Sequence, residues 1–362
     1  MVEDSRKRRR KKRRTKFILK TTLIAAIVAL LALGSGVWYI INHLSDTAAG
    51  SYQGLDRGNK SERRIEPVDV GKDNFSMLLL GSDYREGDGA ERTDSVMVAT
   101  FNKSERSIIL TSIPRDTYVE IVGYRGGGFK DKITHAHAFG GIDMAIATVE
   151  ELLDIPIDHY ALIRFDGLVD VVDALGGIDL ELTYDIDFEE KSRGVDFQFR
   201  KGPAHLNGEQ ALAYARERKS ASGGGDKGRG IRQQQVVEAI IDKAASFSSI
   251  TRFDDVFQAV GDNLQMDLTF PNIISLHGYA SSLSGIETMQ LETTGTRRPD
   301  IYGNSIWYED IHEDSLLEIQ QTLKQHLELT DAGSANFIDP TSPESEALTD
   351  TNSPSGTITP TE

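Results

Sequence analysis

FSMLLLGSDYREGDGAERTDSVMVATFNKSERSIILTSI, residues 75–113, decides how the chain folds. Three apolar runs, 75–80, 95–101 and 107–113, have strand length and are rich in Leu, Ile, Val, Met and Phe. Gly81 ends the first, and a polar turn at 102–105 joins the second to the third. Pro114 stops the third, because proline cannot donate to a sheet ladder. Further on, residues 118–122 alternate and predict a fourth strand. Spacing over 142–153 predicts a helix that stops before Pro156. A strand at 160–165, a helix at 168–175 ended by Gly176 and Gly177, and a strand at 178–182 follow. Asn207 is an expected N-cap for a helix reaching Tyr214 and Ala215. A Gly-rich loop, 222–230, is expected before a helix from about Arg232 to Ala245. Strands and helices mixed in this way predict an α/β sandwich. From 246 to 330 the pattern is fainter, with helical stretches near 271–283 and 314–327.

The ends differ from this middle. The first 20 residues hold 11 of the 40 Lys and Arg and two of the 56 acids, leaving 29 basic against 54 acidic residues in the rest. An acidic body argues against nucleic acid as the main ligand, since phosphate backbones need a basic surface. Residues 21–41, TTLIAAIVALLALGSGVWYII, carry no charge and are long enough to span a bilayer. Trp38 and Tyr39 suit the headgroup level, and the basic block 1–20 is expected to stay in the cytoplasm. A cleaved signal peptide is the alternative, with 48–50 as its site. Residues 42–72 read as a polar linker to the membrane and 331–362 as a disordered acidic Ser/Thr/Pro tail. The chain has no cysteine, which excludes disulfides, zinc–thiolate sites and thiol catalysis.

Three groups of residues carry potential chemistry. Asp83 ends one strand and Asp94 starts the next, so an antiparallel pair brings both carboxylates to one sheet edge. There they suit a hard cation completed by water and phosphate, although an acidic surface hairpin has the same pattern. Arg115 projects from the same edge after Pro114; an ordinary Arg115–Asp116 surface pair is the alternative. Arg216, Arg218, Arg229 and Arg232 lie within 17 residues, with Asp226 and Gln233 among them. Arginines suit bidentate phosphate contacts, and a Gly-rich loop before a helix favours an anion. A solvated charged loop reads equally well from spacing. No G-x-x-x-x-G-K-[ST] is present, which argues against an ATPase. Lys132 precedes His135-Ala136-His137, whose two histidines lack an evident third zinc ligand.

Taken together, GSDYREGDGAERTDSVMV, SIPRDTYV, DKITHAHAFGG, LNGEQALAYARERKS and GDKGRGIRQQQVV resemble the LytR-CpsA-Psr family over residues 76–240. The resemblance implies an α-β-α sandwich with a central mixed β-sheet, a catalytic domain over 73–330, and one preceding transmembrane helix. It implies an extracellular phosphotransferase at the plasma membrane. The donor is a polyprenyl-pyrophosphate-linked glycopolymer such as a teichoic acid or capsule; the acceptor is peptidoglycan. By position, Asp83 and Asp94 match the family's magnesium aspartates, with manganese as an alternative. Arg115, Arg216, Arg218 and Arg229 match its pyrophosphate arginines, and Lys132 and Gln233 match further pocket positions. Arg115, Arg218, Asp94 and Asp226 are the expected catalytic residues, with Arg232 added to the phosphate set by its spacing. His135 departs from the asparagine common there. A lipid-pyrophosphate hydrolase and a membrane-anchored lipid-glycan sensor are the rival functions. The apolar faces of 142–153 and 236–244 are candidates for lining a lipid pocket, or for ordinary core.

Overall fold

The computed structural model describes residues 50–84, 91–190, 194–218, 224–246, 251–280, 283–299, 303–329 and 336–338. The expected span 21–41 and basic block 1–20 lie outside these residues. In chain order the elements begin with β1 (Phe75–Ser82), β2 (Thr93–Asn102), β3 (Ser107–Ile113), β4 (Tyr118–Glu120), β5 (Lys130–Lys132), α1 (His135–Leu153) and β6 (His159–Arg164). Next come α2 (Phe165–Ala174), β7 (Ile178–Leu182), β8 (Ile186–Glu190), β9 (Val195–Phe199), β10 (Gly202–Leu206), α3 (Gly208–Arg216) and α4 (Gly225–Ala245). The last are α5 (Thr251–Val260), β11 (Leu264–Met266), α6 (Phe270–Ala280), β12 (Gly285–Gln290), β13 (Thr293–Pro299), β14 (Ser305–Ile311) and α7 (Glu313–His326).

The strand-rich opening builds a six-stranded mixed sheet in the order β11-β6-β1-β2-β3-β12. β1, β2 and β3 are joined antiparallel, while β1–β6 and β3–β12 are parallel. Side chains alternate between the two faces of a strand. Leu78, Leu80, Val96 and Val98 therefore share one face, where α1 and α7 cover them in a continuous core. Met77, Met97, Ala99 and Phe101 share the other, below α4 and α6. A smaller core joins α3 and α4 to β7, β8, β9 and β10. The result is a mixed α/β sandwich with helices on both faces.

Several expectations hold in detail. β3 and β7 occupy the anticipated residues, and Asn207 closes a reciprocal cap, accepting from Gln210 N at 3.0 Å while Gln210 Oε1 accepts from Asn207 N at 3.1 Å. Others need correction. α4 starts at Gly225, about seven residues before the position expected. Gly230, expected in the loop, instead packs within the helix: a Cβ on it would lie 2.5 Å from Gln290 Nε2 and 3.0 Å from Ser112 Oγ. Residues 50–72, expected as a tether, lie on the body. Arg64 pairs with Asp158 at 2.8 Å with both side chains almost fully buried, and Gln53 N donates to Met266 O. In the expected tail, Ile338 N donates to Arg63 O and Phe337 packs on the main core.

Candidate active site

The sheet edge after β1 and β3 and before β2 gathers Asp83, Asp94, Arg115 and Lys132 of the expected charged groups. Gly81 pairs with Ser95 but Ser82 pairs with Thr93, so Asp94 is the extra residue of a β-bulge. A bulge re-aims the side chain it carries. Here it turns Asp94 to the edge where Asp83 follows β1, and both carboxylates line one polar cavity of about 440 Å³ with Arg115 and Lys132. The antiparallel pairing anticipated from sequence is what brings them together.

Backbone bonds fix the opposite wall. Thr134 N donates to Arg115 O at 3.3 Å and Ile133 N to Thr117 O at 2.9 Å, holding the segment after β3 against the end of β5. The Thr134 hydroxyl donates to Thr93 O, tying in the start of β2. Arg115 Nη1 donates to Asp94 Oδ1. Asp116 is buried; it receives Lys132 Nζ at 2.7 Å and lies 3.7 Å from Arg115 Nε. Asp116 thus holds two cations side by side, a role its sequence position beside Arg115 did not reveal. Arg92 also lines this cavity and was missed, since one exposed arginine in an acidic loop gives no periodic signal.

The arginine motif divides. Arg216 ends α3, donates to Glu190 Oε2 at 2.9 Å and lies 3.6 Å from Asp83 Oδ2. Arg218 is exposed. Arg229 is buried in the second turn of α4, 3.2 Å from Asp226 Oδ1. Burial chiefly, joined by the neighbouring charges of Arg115 and Arg218, pushes the Arg229 guanidinium below its ordinary value against the pull of Asp226. Arg115 is also disfavoured by burial, yet Asp94 and Asp116 beside it raise its pKa. The two guanidinia thus differ: Arg115 is held up by two carboxylates, while Arg229, paired with Asp226 alone at 3.2 Å, is lowered chiefly by burial.

Arg232 is a correction. Its side chain is 1% exposed, and its Nε donates to Tyr214 O at 3.1 Å, its Nη1 to Tyr184 OH at 2.6 Å and its Nη2 to Glu217 O. It caps the carbonyl end of α3, where a cation is favoured, instead of meeting phosphate. Its neighbour Gln234 is likewise structural, donating to Leu110 O and Met289 O. The histidine pair separates: His135 Nδ1 sits 2.9 Å from Asp131 Oδ2, and His137 Nδ1 donates to Glu91 O at 3.0 Å.

Below this edge lies an apolar cavity of about 410 Å³ between the Met77 face of the sheet and helices α2, α4 and α6. Val236, Val237, Ile240 and Ile241 of α4 line it, so 236–244 is a cavity wall; 142–153 is core on the other face. Gly81, Ser95, Arg216 and Gln233 also border it, which puts its mouth at the charged edge.

The model of the LytR_cpsA_psr family matches residues 38–325, across this whole arrangement. The chain belongs to the LytR-CpsA-Psr family. A family relative in Halalkalibacterium halodurans, named polyisoprenyl-teichoic acid–peptidoglycan teichoic acid transferase TagU, is 42% identical over 318 residues, 87% of this chain and 99% of that protein. TagT of Bacillus subtilis, named as the same kind of transferase, is 38% identical over 335 residues, 90% of this chain and 99% of its own. Among solved LytR-CpsA-Psr structures, YwtF (TagT) with bound octaprenyl pyrophosphate lipid superposes with a TM-score of 0.60 at 35% identity, covering 76% of this chain and 99% of that one.

Proposed function

We propose that this chain is a phosphotransferase that moves a glycopolymer, a teichoic acid by the names of its relatives, from a polyprenyl-pyrophosphate carrier to peptidoglycan. The observation that carries this reading is the junction at Arg216. That residue borders the apolar cavity and also reaches Asp83, which lines the polar one. A ligand that is half hydrocarbon and half pyrophosphate matches two such cavities meeting at a guanidinium.

Arg115, Lys132, Arg218 and Arg229 offset the charge of the pyrophosphate, with Arg216 and Gln233 at the entrance of the lipid. The acceptor hydroxyl oxygen bonds to the phosphorus nearest the glycan as the bond from that phosphorus to polyprenyl phosphate breaks. Catalysis then rests on positioning and charge stabilisation. Asp94 or Asp226, the latter beside Arg229, takes the hydroxyl proton in this reading. Magnesium or manganese fits Asp83 and Asp94. They are two carboxylates on one polar rim, and the described residues include no group of three or more acidic or imidazole ligands, so water and phosphate would complete the sphere. When bound, such an ion would neutralise phosphate charge. Residues 21–41 anchor the protein in the plasma membrane, with 1–20 cytoplasmic and the body outside.

The full chain in detergent, given polyprenyl-pyrophosphate glycan, peptidoglycan and magnesium, is expected to leave glycan phosphate on the peptidoglycan. Asp94→Asn or chelation is expected to abolish this, and Arg115→Ala to lower the rate by about 10²–10³-fold. Release of lipid phosphate without transfer would make the protein a hydrolase. Tight donor binding with no turnover would make it a sensor.

A further inference from the structure

Beyond the polar cavity, on the side away from the apolar one, runs a rim of aromatic side chains. His135 lines the polar cavity, and its ring centroid lies 5.6 Å from that of Phe139. Phe139 stacks on Tyr124 at 4.4 Å with 16° between the planes, and Phe129 meets both edge-on. Arg125 stands 5.2 Å above Tyr124 and Phe129. Tyr124 and Phe129 also touch the main core, so packing accounts for them. It does not account for Phe139, which is 37% exposed, or for the exposed Arg125 stacked on the cluster. The chain goes to some trouble to hold them there. Gly141, at φ 67°, breaks α1 and turns its first residues, His135–Phe139, away from the rest of the helix. Arg125 itself has φ 51° and is followed by three glycines of positive φ.

The position of this rim selects its ligand. In an in-line displacement the incoming oxygen and the leaving oxygen lie on opposite sides of phosphorus. The leaving polyprenyl phosphate belongs to the apolar cavity, on the Met77 and Ala99 face of the sheet. The incoming hydroxyl therefore arrives from the wall of Lys132 and His135. That wall is carried by β5, the short link after it and α1; Ile133 of the link and Ala136 of α1 pack on the Leu78 and Val98 face. We propose that the Tyr124–Phe129–Phe139 rim, with Arg125, is the subsite for the glycan strand of the acceptor. Flat aromatic surface buries the C–H faces of pyranose rings, and arginine suits the carboxylates of peptide stems. This proposal rests on the phosphotransfer reading for its orientation.

The test uses the full chain in detergent and soluble, uncrosslinked peptidoglycan strands bearing peptide stems. Transfer is measured against strand and against donor concentration, and strand binding alone is measured by calorimetry. The double variant Phe139→Ala/Arg125→Ala is expected to raise the KM for the strand at least about fivefold, weaken strand binding in parallel and leave the donor KM unchanged. Phe139→Trp, which keeps a flat ring, is expected to retain binding and serves as the check on folding. An unchanged strand KM and affinity would overturn the proposal. So would a raised donor KM in its place, which would make the rim a donor-sugar site, or a wild-type protein that does not bind the strand. Strand binding lost only in the double variant, with no transfer by any protein, would uphold the subsite and overturn the phosphotransferase reading instead.

Discussion

The two faces of the central sheet are built from the same kinds of residue and end differently. On the α1 and α7 side, Leu78, Val98 and Leu80 are at most 3% exposed, and the layer is filled. On the other side Leu79, in the middle of the same strand, is only half-buried and borders the apolar cavity. The difference lies in side-chain volume. Ala99 and Ala161 on the strands and Ala244 and Ala280 on the helices all line the cavity, and their short side chains leave space between the layers. Protein interiors are otherwise close-packed, and a void of this size forgoes much dispersion energy. One face is thus packed throughout, while the other combines a buried core with a cavity.

Substitutions sharpen this contrast. Leu78→Ala on the filled face is expected to cost about 3 kcal/mol of stability, whereas Leu79→Ala one residue later costs about 1 kcal/mol or less. Equal losses in chemical denaturation would mean that both faces are packed alike. A smaller effect is expected from Ala161→Leu, which fills part of the cavity. It should leave the melting temperature nearly unchanged and weaken binding of the lipid-linked donor by about tenfold, or about 1.4 kcal/mol. Unaltered donor affinity would separate the lipid from this cavity.

The least effect is a pH slope on the filled face. His326, near the end of α7, accepts or donates at 2.9 Å to Thr100 Oγ1 of β2 and at 2.9 Å to Ser107 Oγ of β3. Burial lowers its pKa below 6.5, against the opposing pull of Glu105 and Glu328. The unfolded chain therefore takes up the proton first, and stability falls as pH drops below about 6.5. His326→Gln is expected to remove that part of the slope; an unchanged slope would place its origin elsewhere.

Much of the site was legible in the sequence because its residues sit at the ends of regular elements. Asp83, Asp94 and Arg115 flank three consecutive strands, and consecutive strands usually pair. Arg232 was misplaced because four arginines close in sequence look alike; their helical phase and burial separate Arg229, paired with Asp226, from Arg232, which caps the carbonyl end of α3. β8, β9, β13 and β14 went unread, since their buried and exposed positions depend on partners far away. The tether reading of 50–72 failed for a similar reason. Its composition is polar, yet Arg64 finds Asp158 across 94 positions of sequence.

By itself, then, the sequence determined the strands and helices whose apolar spacing is local, the family, and the charged types at the sheet edge. Tertiary structure alone decided which arginine meets solvent, that a one-residue bulge aims Asp94, and that one face of the sheet is left hollow. Those features arise from volumes and distances between segments remote in the chain, which no local pattern of residues encodes.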